Sequence, residues 1–185
     1  KGKVAVAAST TLRVNKMCNL YGIECIVTPI GFKYISEIMM HEDVLVGGEE
    51  SGGISVKGHI PERDGIYDGL VILEYMQSTG KSLKELCREI YDIVGEFYYE
   101  RLDLHLAEEE KQRVISMCQN GLSSFGNFSV EECITIDGFK YILPNLCWTM
   151  IRASGTEPLL RIYAEGNSKQ EVQDILTSIR TTLGV

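Results

Sequence analysis

The apolar pattern of this 185-residue chain changes near residue 97, and the change limits the folds that the chain can adopt. Before that point, short apolar runs of strand type alternate with stretches of helical period. The strands are predicted at 3–8, 24–28 and 44–48, and the helices at 11–20, 34–41, from Asp64 onwards and at 82–95. Strands joined by helices predict βαβ units and a sheet with parallel strands.

The second half of the chain has a different order of elements. FYYERLDLHL alternates like a long strand, and the segment 107–120 has the period of an amphipathic helix. Three or four short strands follow within 131–164, and a last helix spans 168–183. This order predicts an antiparallel sheet with helices on one face, that is, an α+β domain. We therefore expect two domains, at 1–97 and 98–185.

Composition excludes several classes of function. The apolar content of 44% can bury a core, and no apolar run is long enough for a membrane span or a signal peptide. The net charge of −8 argues against a broad surface for nucleic acid or acidic membranes. The six cysteines form no C-x-x-C pair, which indicates a reducing cytoplasm, and the three histidines lack metal-ligand spacing. We expect no metal ligand among the histidines.

A glycine-rich loop, GGEESGG at 47–53, follows the third predicted strand. Its four glycines allow the backbone to approach a ligand, while Glu49, Glu50 and Ser51 offer carboxylate and hydroxyl groups. Such a loop suits a polyol, and it lacks the Lys-Ser or Lys-Thr of a nucleotide phosphate loop. The alternative is a flexible acidic turn at the surface.

A second candidate site is RASGTEPLLR, in which Arg152 and Arg161 flank Ser154, Gly155 and Thr156. Two guanidinium groups can bind a phosphate bidentately, and hydroxyl and backbone N–H groups can complete the site. The segment therefore predicts a cradle for an anion within an acidic protein. The alternative is a hairpin that carries two solvated arginines.

The pentapeptide GFKYI occurs twice, at 31–35 and at 138–142. The first copy leads from a strand into a helix and places Lys33 where its charge can reach a phosphate or donate a proton. The alternative, which the residue alone favours, is a solvated lysine at the surface. The second follows a hairpin signal, and there we expect Lys140 to be a solvated charge in an alternating strand. Because the flanking sequences differ, we interpret the repeat as a coincidence rather than a duplication.

Four segments in one order resemble the α-D-phosphohexomutase family, which includes phosphoglucomutases and phosphomannomutases. They are GFKYI, GGEESGG, HIPERDG and RASGTEPLLRIYAEG, and the resemblance extends over essentially the whole chain. It implies the third and fourth domains of a four-domain enzyme, with the start of the third domain missing. The implied fold is an α/β/α domain with a mixed sheet, followed by an α+β domain that resembles the TATA-box-binding protein, with an antiparallel sheet and two helices.

The resemblance also implies a function for the whole protein, namely the interconversion of hexose 1-phosphates and hexose 6-phosphates through a hexose 1,6-bisphosphate. By the same resemblance, Glu49 and Ser51 recognise sugar hydroxyls. Lys33 lies near the reacting phosphate, where it acts as a general acid or base or neutralises charge. The other phosphate binds Arg152, Ser154, Gly155 and Thr156 with help from Arg161. The family's phosphoserine loop and Mg²⁺ loop belong to its first two domains, and no segment of this sequence resembles either. We expect this chain alone to be inactive, and the N-terminal domains of the whole protein to be its partners.

Several alternatives remain open at this stage. Glucose or mannose phosphates are the favoured substrates. Gly53 stands where several bacterial relatives, including many phosphoglucosamine mutases, carry histidine, and RASGTEP is common to several branches, so phosphoglucosamine mutase and phosphopentomutase are alternatives. A non-catalytic phosphosugar-binding module and a structural domain without a ligand are alternatives from other classes.

Overall fold

A computed structural model describes residues 2–154 and 158–185 of the chain. It divides into two compact units, Lys1–Gly95 and Glu96–Val185. This division lies two residues before the boundary predicted from the sequence.

The first unit is an α/β domain built on a four-stranded mixed sheet. Its elements are β1 (Lys3–Ala7), α1 (Leu12–Tyr21), β2 (Glu24–Thr28), α2 (Phe32–His41), β3 (Val44–Gly48), β4 (Ile54–Val56), α3 (Gly65–Thr79) and α4 (Leu83–Val94). The strand order is β2-β1-β3-β4, in which β1 pairs in parallel with β2 and β3, and β4 is antiparallel to β3. The predicted βαβ unit is confirmed, and β4 adds a strand that the sequence did not indicate.

Local capping explains where the helices of this unit begin and end. The Thr11 hydroxyl accepts the N–H of Arg13 at the start of α1, and Gly22 ends that helix in the left-handed conformation with φ 63°. Ser82 and Glu85 form a reciprocal capping box at the start of α4. These boundaries agree with the sequence prediction, whereas α2 begins at Phe32, two residues earlier than expected.

The second unit is an α+β domain with a five-stranded antiparallel sheet. Its elements are β5 (Tyr98–His105), α5 (Glu108–Gln119), β6 (Ser124–Phe125), β7 (Phe128–Ser129), β8 (Glu132–Ile134), β9 (Phe139–Ile142), a 3₁₀ turn (Pro144–Leu146), β10 (Trp148–Ala153), β11 (Leu159–Gly166) and α6 (Lys169–Leu183). The strand order is β5-β11-β10-β9-β8, and β6 and β7 form a separate small hairpin. The predicted antiparallel sheet and both predicted helices are confirmed.

Both helices of the second unit pack on one hydrophobic core with the sheet. Ile151 and Ile162 are cross-strand partners in this core, where they join Val114 of α5 and Ile175 of α6. Full burial of each such side chain stabilises the fold by roughly 1.5–3 kcal/mol. Side chains alternate along a strand, so the residues next in sequence, Arg152 among them, point to the other side of the sheet.

Candidate functional site

The glycine-rich loop forms the turn of the hairpin between β3 and β4. The N–H of Glu49 donates to the carbonyl of Gly53 over 2.9 Å, and the N–H of Gly52 donates to the carbonyl of Glu49 over 3.1 Å. Gly52 has φ 88°, a conformation that favours glycine. The segment is thus an ordered turn held by backbone hydrogen bonds.

The Glu49 carboxylate links this hairpin to two other segments that the sequence singled out. Its side chain is only 8% exposed. Oε1 accepts the N–H of Gly31, in the first GFKYI copy, over 3.2 Å. Oε2 lies 3.6 Å from Nη1 of Arg63, in the HIPERDG segment. Three of the four segments that carry the family resemblance therefore meet at one carboxylate.

The next two residues of the hairpin turn have different surroundings. The hydroxyl of Ser9, which is fully buried where β1 leads into α1, donates to the Glu50 carboxylate. This bond connects the hairpin to the carboxyl end of the central strand, where ligands bind in many α/β sheets. Ser51 is exposed, so its hydroxyl is accessible to a ligand.

Lys33 is the second residue of α2, and its side chain is exposed. Its Nζ lies 4.8 Å from the centroid of the neighbouring Tyr34 ring. Because Gly31, two residues earlier, donates its N–H to Glu49, the structure brings the Lys33 loop and the glycine-rich hairpin together. The sequence singled out both segments, and the hydrogen bond between Gly31 and Glu49 joins them.

The HIPERDG segment is held in place at the start of α3. Nε2 of His59 lies 2.8 Å from Oδ2 of Asp64, and the His59 ring stacks on Tyr67 with centroids 3.9 Å apart. The N–H of Tyr67 and then the His59 ring hold the pKa of the Asp64 carboxyl below its ordinary value. Sequence reasoning did not single out Arg63, and the only available signal was its place in this segment.

In the second unit, the two predicted arginines are direct cross-strand partners on β10 and β11. Nε of Arg152 donates to Oδ1 of Asp137 over 2.9 Å. Nε of Arg161 lies 4.0 Å from Oδ2 of Asp103, on β5. The side chains of Arg152 and Arg161 are 22% and 27% exposed. Arg152 is therefore oriented by a carboxylate, whereas Nε of Arg161 makes no hydrogen bond to Asp103. Neither side chain is fully solvated, unlike the two arginines of the alternative interpretation.

The rest of the predicted cradle is described in part. Ser154 is buried, and its N–H donates to the carbonyl of Leu159 over 2.8 Å. Gly155 and Thr156 lie outside the described residues. A cavity of about 350 Å³ is lined by Arg152 and Asp137 together with apolar residues such as Ile115 and Ile151.

The second GFKYI copy corrects one prediction. Lys140 is buried rather than solvated, with 5% of its surface exposed. Its Nζ lies 4.0 Å from the centroid of the Trp148 ring, on the neighbouring strand β10. The sequence prediction was wrong because strand pairing places a lysine beside an aromatic face that attracts its charge. The glycine of this copy, Gly138, has φ 79° and lies against the backbone of β10.

Two other kinds of site are absent from the described residues. No group of three or more His, Cys, Asp or Glu side chains in 2–154 and 158–185 is arranged to hold a metal ion. Over the same residues, no helix has the length and apolar character needed to cross a membrane.

Comparison with known proteins identifies relatives for both units. The family model "Phosphoglucomutase/phosphomannomutase, alpha/beta/alpha domain III" matches 1–94, and "Phosphoglucomutase/phosphomannomutase, C-terminal domain" matches 107–182. A phosphoglucosamine mutase from Fusobacterium nucleatum is 29% identical over 96% of this chain and 36% of its own length. A phosphoglucomutase/phosphomannomutase from Thermococcus kodakarensis is 25% identical over 95% of this chain and 36% of its own length.

A solved structure supports the same fold assignment. A putative phosphomannomutase from Thermus thermophilus superimposes with a TM-score of 0.80 and 30% identity, covering 100% of this chain and 37% of that one. The chain thus spans little more than a third of the length of these relatives.

Proposed function

Because the chain belongs to the phosphoglucomutase/phosphomannomutase family, we propose that it is the substrate-binding C-terminal part of a phosphohexomutase. The whole protein would interconvert hexose 1-phosphates and hexose 6-phosphates through a hexose 1,6-bisphosphate. The observation that carries the proposal is the pair of mostly buried arginines that face each other on adjacent strands, Arg152 and Arg161, with Arg152 held by Asp137. An acidic chain that nevertheless builds such a pair is suited to a specific anion.

In this proposal the second unit holds the phosphate group that is not being transferred. Arg152, Ser154 and Arg161 would bind it together with Gly155 and Thr156. Planar guanidinium groups fit phosphate oxygens, and Asp137 orients that of Arg152 beforehand, which reduces the entropy lost on binding. Each charge-assisted hydrogen bond contributes about 1.5–3 kcal/mol.

The first unit would recognise the sugar. Ser51, at the exposed turn of the hairpin, can donate to or accept from a sugar hydroxyl, and the Glu49 carboxylate can accept from one. Lys33 would lie near the reacting phosphate, where its positive charge offsets the charge of the phosphoryl oxygens. The connection between Gly31 and Glu49 supports a joint role for these residues.

The reacting serine and the Mg²⁺ site would belong to the rest of the protein. Phosphoryl transfer needs a nucleophile in line and a cation that neutralises developing charge, and Mg²⁺ supplies the latter when bound. We therefore expect no turnover from this chain alone. Substantial mutase activity of the purified 185-residue chain would contradict this part of the proposal.

A second candidate is the phosphoglucosamine mutase branch of the same family. The observation that favours it is the relative from Fusobacterium nucleatum, which carries that name. Assays of the whole protein with glucose, mannose, glucosamine and ribose 1-phosphates would separate the branches. A preference of at least roughly tenfold in kcat/KM for one sugar, equivalent to about 1.4 kcal/mol, would assign the substrate.

The test of the proposal compares Arg152→Ala with Arg88→Ala in the whole protein. Arg88 is an exposed arginine on α4, so its removal controls for the loss of one positive charge. Loss of one charge-assisted bond at Arg152 should lower kcat/KM about ten- to a hundredfold, whereas the control should retain it. Binding of hexose phosphate without turnover in the whole protein would favour a non-catalytic module instead. A lack of binding would favour a structural domain.

A further inference from the structure

We propose that Arg63 is a positioning residue for the Glu49 carboxylate and that Gly53 is the glycine that makes room for it. This inference builds on the proposed function, in which Glu49 accepts a sugar hydroxyl. It adds two residues whose roles depend on one another. The evidence comes from the contacts of the Arg63 side chain with Glu49, with Phe32 and Glu62, and with Gly53.

The first contact is electrostatic. The Glu49 side chain is 8% exposed, and Oε2 lies 3.6 Å from Nη1 of Arg63. A carboxylate so far removed from water is costly unless hydrogen bonds and a positive charge compensate it. The N–H of Gly31 supplies a hydrogen bond to Oε1, and Arg63 supplies a positive charge beside Oε2.

The second contact fixes the guanidinium from another side. Cζ of Arg63 lies 5.4 Å from the centroid of the Phe32 ring, and Phe32 is buried at the first position of α2. Arginine binds aromatic faces through its planar guanidinium. Nε also lies 3.3 Å from Oε1 of the exposed Glu62. Arg63 thus has fixed partners although its side chain is 54% exposed.

The third contact explains why position 53 carries a glycine. A β-carbon at Gly53 would lie 2.5 Å from Cδ of Arg63 and 3.3 Å from Oε2 of Glu49. Gly53 has no positive φ, so the backbone itself accepts other residues at this position. The aliphatic part of Arg63 occupies the space that a side chain at this position would take.

Together these contacts hold the carboxylate in one orientation. Gly31 fixes one oxygen, Arg63 lies beside the other, and the hairpin backbone places the residue between them. A fixed carboxylate accepts a hydroxyl without first reorganising, which increases affinity and selectivity for the sugar. Without Arg63, a nearly buried negative charge would lose its counter-ion and rotate towards water.

The experiment uses the ¹⁵N-labelled chain with Arg63→Gln, Arg63→Lys, Gly53→Ala and the surface control Arg88→Gln. The first measurement is the amide resonance and hydrogen exchange of Gly31, with Glu49→Ala as the reference for a lost hydrogen bond. We expect Arg63→Gln and Gly53→Ala to shift this resonance towards the reference and to increase exchange several-fold. Arg63→Lys should restore part of the effect, and the control should leave it unchanged.

The second measurement is titration with glucose 1-phosphate. We expect Arg63→Gln to weaken binding about tenfold, or about 1.4 kcal/mol, because the misoriented Glu49 carboxylate loses its hydrogen bond with the sugar hydroxyl. In a double-mutant cycle, Arg63→Gln should add little once Glu49→Ala is present. Strictly additive losses would mean that Arg63 contacts the ligand itself, and they would overturn the positioning role.

The two measurements separate the two proposals. An unchanged Gly31 amide in both Arg63→Gln and Gly53→Ala would overturn the positioning role, whether or not the sugar binds. A shifted amide in a chain that binds no sugar phosphate would support the positioning of Glu49 and count against the proposed function. The amide readout needs no ligand, so it tests the positioning role in either case.

Discussion

Replacing Gly138 with alanine should destabilise the second unit beside Arg152. Gly138 has φ 79°, and a β-carbon there would lie 2.6 Å from the carbonyl oxygen of Ile151 and 3.2 Å from Cα of Arg152. The left-handed conformation costs alanine roughly 1 kcal/mol. The overlap is with backbone rather than a flexible side chain, so β10 must shift, which adds roughly 1–3 kcal/mol. We expect a total loss of about 2–4 kcal/mol in the free energy of unfolding.

The chain offers a matched control and a built-in reporter for this measurement. Gly121, in the same unit, has φ 84° and nothing within 4 Å of an added β-carbon. Gly121→Ala should therefore lower the free energy of unfolding only by the cost of a positive φ for alanine, about 1 kcal/mol. The chain has a single tryptophan, Trp148, on the strand that Gly138 contacts, so urea unfolding can be followed by its fluorescence. The m-values should stay equal if only stability changes.

Equal losses for the Gly138 and Gly121 variants would refute the reasoning, because they would leave no effect of the overlap. A functional consequence follows from the same geometry. A shift of β10 moves Arg152, so Gly138→Ala should also weaken phosphate binding, whereas Gly121→Ala should leave it unchanged.

Two further predictions concern other residues. Lys140→Ala should shift the fluorescence emission of Trp148 and lower the free energy of unfolding by about 2 kcal/mol, because a desolvated cation–π contact is lost. An unchanged emission spectrum would contradict this contact. Asp64→Asn tests the pKa of Asp64, which the N–H of Tyr67 and then the His59 ring hold below its ordinary value. The stability that the ionised carboxylate contributes is present above about pH 4 and lost as the pH falls through the lowered pKa. Thermal unfolding followed by circular dichroism should therefore show the two proteins converging in acid, and a constant difference would argue against the effect.

The sequence predicted those helices whose ends are set by capping residues adjacent to them in sequence. Thr11 and Gly22 bound α1, and the capping box at Ser82 begins α4, because these signals act within one helical turn. The three-residue strand β4 was not predicted, since it is too short for a pattern and exists through its pairing with β3. Helix ends that depend on adjacent residues could be predicted, whereas a strand that depends on pairing with another strand could not.

The same distinction applies to the candidate sites. Arg152 and Arg161 were predicted as a pair from one segment, and strand pairing places them opposite each other. Asp137, Asp103 and Arg63 lie on other segments than their respective partners Arg152, Arg161 and Glu49. No single-sequence rule connects such residues. The buried state of Lys140 was missed for the same reason, because its aromatic partner lies on a neighbouring strand.

The two copies of GFKYI show how context assigns a role to identical residues. Both glycines have positive φ, 130° at Gly31 and 79° at Gly138, so each begins its segment in a conformation that favours glycine. The following FKYI is helical in the first copy and a strand in the second. Phe, Tyr and Ile suit strands, so the helix in the first copy depends on its neighbours SEIMM, which extend the helical period, whereas Pro144 follows the second copy. The N–H of Gly31 donates to Glu49 in the glycine-rich hairpin, which ties the first copy to the proposed sugar site. That hydrogen bond, rather than the five shared letters, is the reason to test Lys33 as the functional lysine.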